Sequence, residues 1–173
     1  MQDSLAPDAY WWLGVTYRSA GRYDEAIDAF QQQLELYPAS GFAAGQLALV
    51  YSSAGMIPEA IAQAERAEPL LSSDPDVLPL LAITYAVVGR RADALRVLEQ
   101  VKQAAAERYF DPTHIAAIYD ALGDIDEAIV WYRKGFEQRS PDVIYGVRTQ
   151  PEPWHHVKSD PRYQELVARL GFP

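Results

Sequence analysis

Residues 10–38 read YWWLGVTYRSAGRYDEAIDAFQQQLELYP, and features of this stretch recur down the chain at a constant step. Tyr17 is followed at intervals of 34 residues by Tyr51, Tyr85 and Tyr119. Gly21 is repeated in the same way by Gly55, Gly89 and Gly123, and Ala26 by Ala60, Ala94 and Ala128. Two further columns keep the register: Leu13, Leu47, Leu81 and Ile115, and the small residues Gly14, Ala48, Ala82 and Ala116. A period of this length marks an array of supersecondary units, each burying its apolar face against the next.

Each column has a physical task. The Leu/Ile and the Tyr lie four residues apart, on one face of the first helix of each unit. The Gly or Ala beside the Leu/Ile removes bulk so that the second helix can approach, and the repeated Ala on that second helix completes the contact. The Gly four residues after each Tyr suits the left-handed position that ends a helix. Phe30, Leu98 and Tyr132 fill the space between units, and Ala64 in the same column predicts thinner packing in the second.

Helix boundaries follow from the punctuation. Ser40, Asp74 and Asp111 suit N-caps, Pro75 and Pro112 suit first helical positions, and Pro58 suits the start of a second helix. Pro38 and Pro141 stop second helices. Pro69 falls late in one and predicts a kink or stop near Ala67. The expected helices cover 8–20, 24–37, 41–54, 58–68, 75–88, 91–107, 112–122 and 125–138. The predicted fold is all-α, a right-handed α-solenoid of four helix–turn–helix repeats with a C-terminal capping helix. Its divisions are a lead-in at 1–6, repeats at 7–40, 41–74, 75–108 and 109–140, and an extension at 141–173.

Within that extension, Asp160 suits an N-cap and Pro161 a first helical position, and Gly171 can end the helix. Tyr163, Leu166, Val167 and Leu170 form an apolar stripe, so residues 161–170 are expected to cap the fourth repeat. Trp154 is expected to bury in the cap, and Pro151 and Pro153 argue against continuous helix before it.

The pattern Tyr10-x2-Leu13-Gly14-x2-Tyr17-x3-Gly21, with Ala26-x3-Phe30 and Pro38, resembles the tetratricopeptide signature, and the resemblance runs over residues 7–140. It implies a superhelix whose first helices line a concave groove that takes peptides or protein segments. Residues 109–173 are also similar to the C-terminal ends of bacterial multidomain regulators, in which such repeats follow a winged-helix, nucleotide-cyclase or Ser/Thr-kinase module. That second resemblance is carried by Tyr109-Phe110-Asp111-Pro112-Thr113-His114, Arg139-Ser140, and Lys158-Ser159-Asp160-Pro161-Arg162-Tyr163. It implies a terminal sensor or scaffold, with none of those catalytic modules in this sequence.

By the family's geometry, the groove is faced by the second, fifth, ninth, twelfth and thirteenth positions of each first helix. The resemblance thus implies a ligand groove containing Trp11, Val15, Arg18, Phe42, Leu49, Pro79, Ile83 and Val87. The twelfth-position column continues from Arg18 through Ser52 and Ala86 to Asp120. Chaperone-binding members clamp a C-terminal carboxylate with Lys, Asn and Arg; the matching positions here hold Trp11, Val15, Gln46, Asp76 and Leu80, so that ligand is not expected. A segment with large apolar anchors is expected instead, with Trp11 as hot spot.

Composition agrees with a binding protein. Of 173 residues, 49% are apolar, enough for a core. The net charge is −9, with +2 on residues 133–173 and −11 on the rest, which disfavours nucleic-acid and membrane partners. Absence of Cys removes thiolate metal sites and thiol nucleophiles and fits a cytoplasmic setting. His155-His156 is an adjacent pair with the wrong spacing for a helical metal site, and His114 reads as a first-turn surface residue. No cofactor or metal is expected. Asp24-Glu25 and Asp126-Glu127 read as helix-dipole acids and Arg90, Arg91 and Arg96 as a solvated cluster. No strand-linked phosphate loop or nucleophile elbow is present, so an enzyme ranks last. The uncovered Tyr10, Trp11 and Trp12 suggest a second function, homo-oligomerisation through the N-terminal end. A small-ligand sensor with a closed apolar groove is a third.

Overall fold

The computed structural model describes residues 7–71, 77–143 and 155–169. They form α1 (Pro7–Ser19), α2 (Tyr23–Leu36), α3 (Gly41–Ser53), α4 (Ile57–Leu71), α5 (Leu78–Val87), α6 (Arg91–Glu107), α7 (Pro112–Ala121) and α8 (Ile125–Glu137). A helical stretch at 141–143, a 3-10 turn (Val157–Ser159) and α9 (Pro161–Ala168) follow. No strand occurs among the described residues. The helices pack as hairpins, α1 with α2, α3 with α4, α5 with α6 and α7 with α8. The first helices α3, α5 and α7 also lie side by side, as an α-solenoid requires.

The turn inside each hairpin is set by one glycine. Gly21, Gly55, Gly89 and Gly123 have φ of 71°, 76°, 81° and 78°. At Gly89 the geometry is representative. Its N–H reaches Ala86 O at 3.1 Å and the next N–H, of Arg90, reaches Tyr85 O at 2.8 Å, which closes the exposed carbonyls of α5. A side chain in this left-handed conformation costs ~1–2 kcal/mol. The repeated tyrosine is thus the third residue from the helix end, and the residue after the glycine can cover its ring. Arg22 stacks over Tyr17 at 4.6 Å and Arg90 over Tyr85 at 5.0 Å.

The close approach of the paired helices is equally regular. Ala26, Ala60, Ala94 and Ala128 are each 0% exposed, and Ala48, Ala82 and Ala116 no more than 1%. Gly14 needs its lack of a side chain: a Cβ there would sit 2.6 Å from the Phe30 ring. In the 34-residue register Ala48 corresponds with Ala64, Ala82 with Leu98 and Ala116 with Tyr132. The thin column at Ala64 is closed all the same, with no exposure. The core is nonetheless in two clusters. Leu47 and Val50 of α3 join Val15, Ile27 and Phe30, whereas Ala44, Ala48 and Leu49 join the cluster running on to Tyr163.

Most caps stand where the sequence places them. Ser40 Oγ accepts from the Ala43 N–H, Asp111 from Thr113 and Asp160 from Arg162. Two boundaries differ. α4 does not stop near Ala67 but continues through Pro69 to Leu71. A proline in the last turn forfeits a single i→i−4 bond, and the buried Ala67 gives that turn a packing partner. α5 begins at Leu78 rather than at 75, with Pro79 in its first turn. Asp74 and Pro75 lie outside the described residues, as do Trp154, Pro151, Pro153, Leu170 and Gly171. Pro141 opens a new helical stretch after ending the previous one.

The Arg90–Arg91–Arg96 group is solvent-exposed, as expected, and is also engaged in surface ion pairs. Arg96 pairs with Glu68 at 2.7 Å, Arg91 with Asp124 at 2.8 Å, and Arg90 with Glu65 and Asp93, so each arginine joins α6 or its leading turn to a neighbour. Glu68 also accepts from the Tyr85 hydroxyl at 2.8 Å, which ties the tyrosine column to the ion pairs.

Gly14→Ala is expected to destabilise the chain by ~1–2 kcal/mol, overpacking outweighing the gain in helix propensity. Adding Phe30→Leu, which copies the Ala82–Leu98 pairing, is expected to recover part of that loss. Urea midpoints of the two singles and the double measure the coupling, and strictly additive losses would show that this contact does not limit helix approach.

Candidate binding groove

The residues expected on the concave side fall into two groups. Val15 is 9% exposed, Leu49 2% and Ile83 6%, and Pro79 is buried with them. Trp11, Arg18, Phe42 and Val87 are half-buried. Trp11 packs across the first interface on Phe42, with ring centroids 6.0 Å apart, and against Trp12 at 4.2 Å. Its indole N–H is buried without a hydrogen-bond partner. Leu49, Ile83 and the C-terminal Val157 belong to one core cluster, against which Phe42, Val87, Ala117 and Ala121 pack. These side chains are therefore largely buried from within the chain.

Asp120 occupies the twelfth position of the fourth repeat and is 0% exposed. Its Oδ1 accepts the Val157 N–H at 2.9 Å, while Oδ2 is buried with no partner. Burial pushes this carboxyl up to about 6; the amides of Val157 and His156 and the charges of His156 and Lys158 pull the other way. His155, half-buried two residues before Val157, is held down to about 3, first by burial and then by the charges of Lys158, Arg18 and His156. The structural tie of the stretch 155–157 is to α7, through the Val157 N–H on Asp120.

His155 is thus half-buried, whereas its neighbour His156 is exposed. The sequence held one signal for Asp120, an acid in a column that otherwise reads Arg18, Ser52 and Ala86. Its partner 37 residues away had none.

The other histidine has a structural place. His114 Nε2 lies 2.9 Å from Asp142 Oδ2 and its ring packs edge-on against Phe110 at 5.5 Å. The hydrogen bond from His114 holds the Asp142 carboxyl below its ordinary value. Ser140 Oγ donates to Asp111, the residue that caps α7. The strings Asp111-Pro112-Thr113-His114 and Arg139-Ser140 therefore meet in space, closing the last repeat on itself. Of the paired acids, Glu25 binds Arg22 and Asp126 binds Arg162 at 2.8 Å.

No group of three or more His, Asp or Glu side chains among the described residues is arranged to hold a metal ion. No helix among them is long and apolar enough to cross a membrane.

Asp120 and His155 impose opposite pH dependences. The ordinary values are 3.8 for Asp120 and 6.5 for His155. Below 3.8 Asp120 gives its full stabilisation, which is lost as pH rises through about 6, because the folded chain keeps a proton that the unfolded chain releases. His155 gives its full stabilisation above 6.5 and loses it as pH falls toward 3, because the unfolded chain takes up a proton that the folded one refuses. Relative to the parent chain, Asp120→Asn is expected to make stability fall more steeply as the pH drops from 6 to 4. It should also gain up to ~2 kcal/mol at pH 7. His155→Gln should do the reverse and make stability fall as pH rises through that window. Calorimetric melting profiles test both, and three parallel profiles would remove both assignments.

Three family models, each described as tetratricopeptide repeat, match residues 5–73, 80–100 and 113–140, together well over half of the chain. No curated protein matches it at a significant level. With a 34-residue period, paired helices and glycine turns in register, the chain belongs to the tetratricopeptide-repeat family.

Proposed function

We propose that the chain is a non-catalytic scaffold whose concave groove takes a segment of another polypeptide. Tetratricopeptide repeats as a family mediate protein–protein interaction. The observation that supports this reading for this chain is that a first-helix side chain already binds polypeptide main chain: the Val157 N–H bonded to the buried Asp120 carboxyl. The repeats are proposed to run 7–40, 41–74, 75–108 and 109–140. A partner segment with large apolar side chains suits the residues on offer, Trp11, Phe42 and Val87 being half-buried and Arg18 the cation beside them. The similarity of residues 109–173 to the ends of bacterial multidomain regulators supports a place as the terminal module of such a protein.

Trp11 is the proposed anchor, as large aromatics dominate interfaces of this kind. Trp11→Ala is expected to weaken partner binding by about 2 kcal/mol. A pull-down followed by titration calorimetry on the recovered partner checks this, and unchanged affinity removes Trp11 from the site.

One observation favours self-association as a second reading. Trp12 is 60% exposed beside Trp11, an aromatic surface at the N-terminal end. Assembly through it would give a sedimentation mass that rises with concentration and reverts in Trp12→Glu. A mass that is constant for both chains rejects this reading.

A further inference from the structure

We infer that residues 155–157, held in place by α9, are an intramolecular occupant of the groove, a latch that a partner segment has to displace. This rests on the binding reading above and adds a mode of regulation to it. Val157 donates its N–H to Asp120 at 2.9 Å, on the side of α7 where a bound segment is expected. Its side chain, 1% exposed, is continuous with Leu49 and Ile83 in one apolar cluster. The 3-10 turn at Val157–Ser159 also packs on α8, so the segment is held at the last repeat from both of its helices. Behind it, α9 docks on α8, with Tyr163 against Tyr132 at 5.2 Å and Phe136 at 6.2 Å.

The contact is built to open. α9 has eight residues, fewer than the ~12–15 that an isolated helix needs in water, so it is helical only while docked. Docking keeps Asp120 Oδ2 buried and unpartnered, a cost removed once water reaches it. Arg162 braces the latch on Asp126, whose side chain is 91% exposed, and such a pair holds weakly. The paired helices, by contrast, meet along columns with no exposure. The C-terminal segment is therefore the element that opens at least cost. A competing segment with a cation or amide beside an aliphatic anchor would fill the Val157 site and also satisfy Oδ2, which the latch does not.

The test uses the full chain, the variants Val157→Asp and Tyr163→Ala, and a fluorescein-labelled synthetic peptide of residues 155–169 as probe. In native-state hydrogen exchange, amides of Val157 to Leu166 are expected to exchange at least a hundredfold faster than those of α5 and α6. Both variants should remove the remaining protection there while keeping the helical signal of the repeats. The probe should bind the variants at least tenfold more tightly than the parent chain. Tail amides exchanging in step with α5 and α6, or both variants losing the helical signal, would overturn the latch and leave the binding reading standing. A released tail with no gain in probe binding would overturn the latch as a competitor and the groove reading with it.

Discussion

The spacing between paired helices governs the rest of this molecule. Where Ala26, Ala60, Ala94 and Ala128 meet the small residues of the first helices, no side chain holds the backbones apart, and the contact is closed to solvent. Dispersion forces are strong only at such short range. Once those faces are committed to the partner helix, the geometry of a first helix leaves its remaining positions little choice. From the second repeat on, the Leu/Ile column turns into the core as Leu47, Leu81 and Ile115, and the tyrosine column comes to the helix end. Gly14 opposite Phe30 shows the tolerance: size lost on one helix is made up on the other.

The helix ends convert this local regularity into long-range order. In each turn the glycine relieves backbone strain and leaves the tyrosine ring at the last turn of the helix. Tyr85 then serves two elements at once, donating to Glu68 of α4 while Arg90 lies over its ring. Glu68 in turn holds Arg96 on the following helix. Lys102 approaches the ring of Tyr119 at 5.3 Å, so the next tyrosine is also covered by a cation from the preceding repeat. Individually these surface interactions are worth ~0–1 kcal/mol. Their value is in register, since each fixes the angle between a helix end and the next hairpin.

What was legible in the sequence was what repeats. Tyr, Gly, Ala and Leu recur at one step because every repeat solves the same packing problem, and the helix limits follow within a few residues. The departures have local causes. Pro69 reads as a breaker, yet at the end of α4 it sacrifices little and the helix passes through it. Leu78 starts α5 where Pro75 was the stronger signal. The burial of Asp120 against Val157 was not legible. Asp120 and Val157 meet once, across 37 residues, and a contact made once leaves no periodic trace. His155 and His156 look equivalent as letters, and only the fold separates a half-buried ring near Arg18 from an exposed one.

The division of the core at α3 has a mechanical meaning. Leu47 and Val50 face back to the first hairpin, Ala44, Ala48 and Leu49 face forward, and the half-buried Leu34 touches both clusters. Bending stiffness in a stacked array follows the continuity of its packing, so compliance concentrates where one helix separates two apolar bodies. The first hairpin is bound to α3 through Leu47 and Val50, so any give between it and the rest of the array falls across α3 itself, where the two apolar bodies meet.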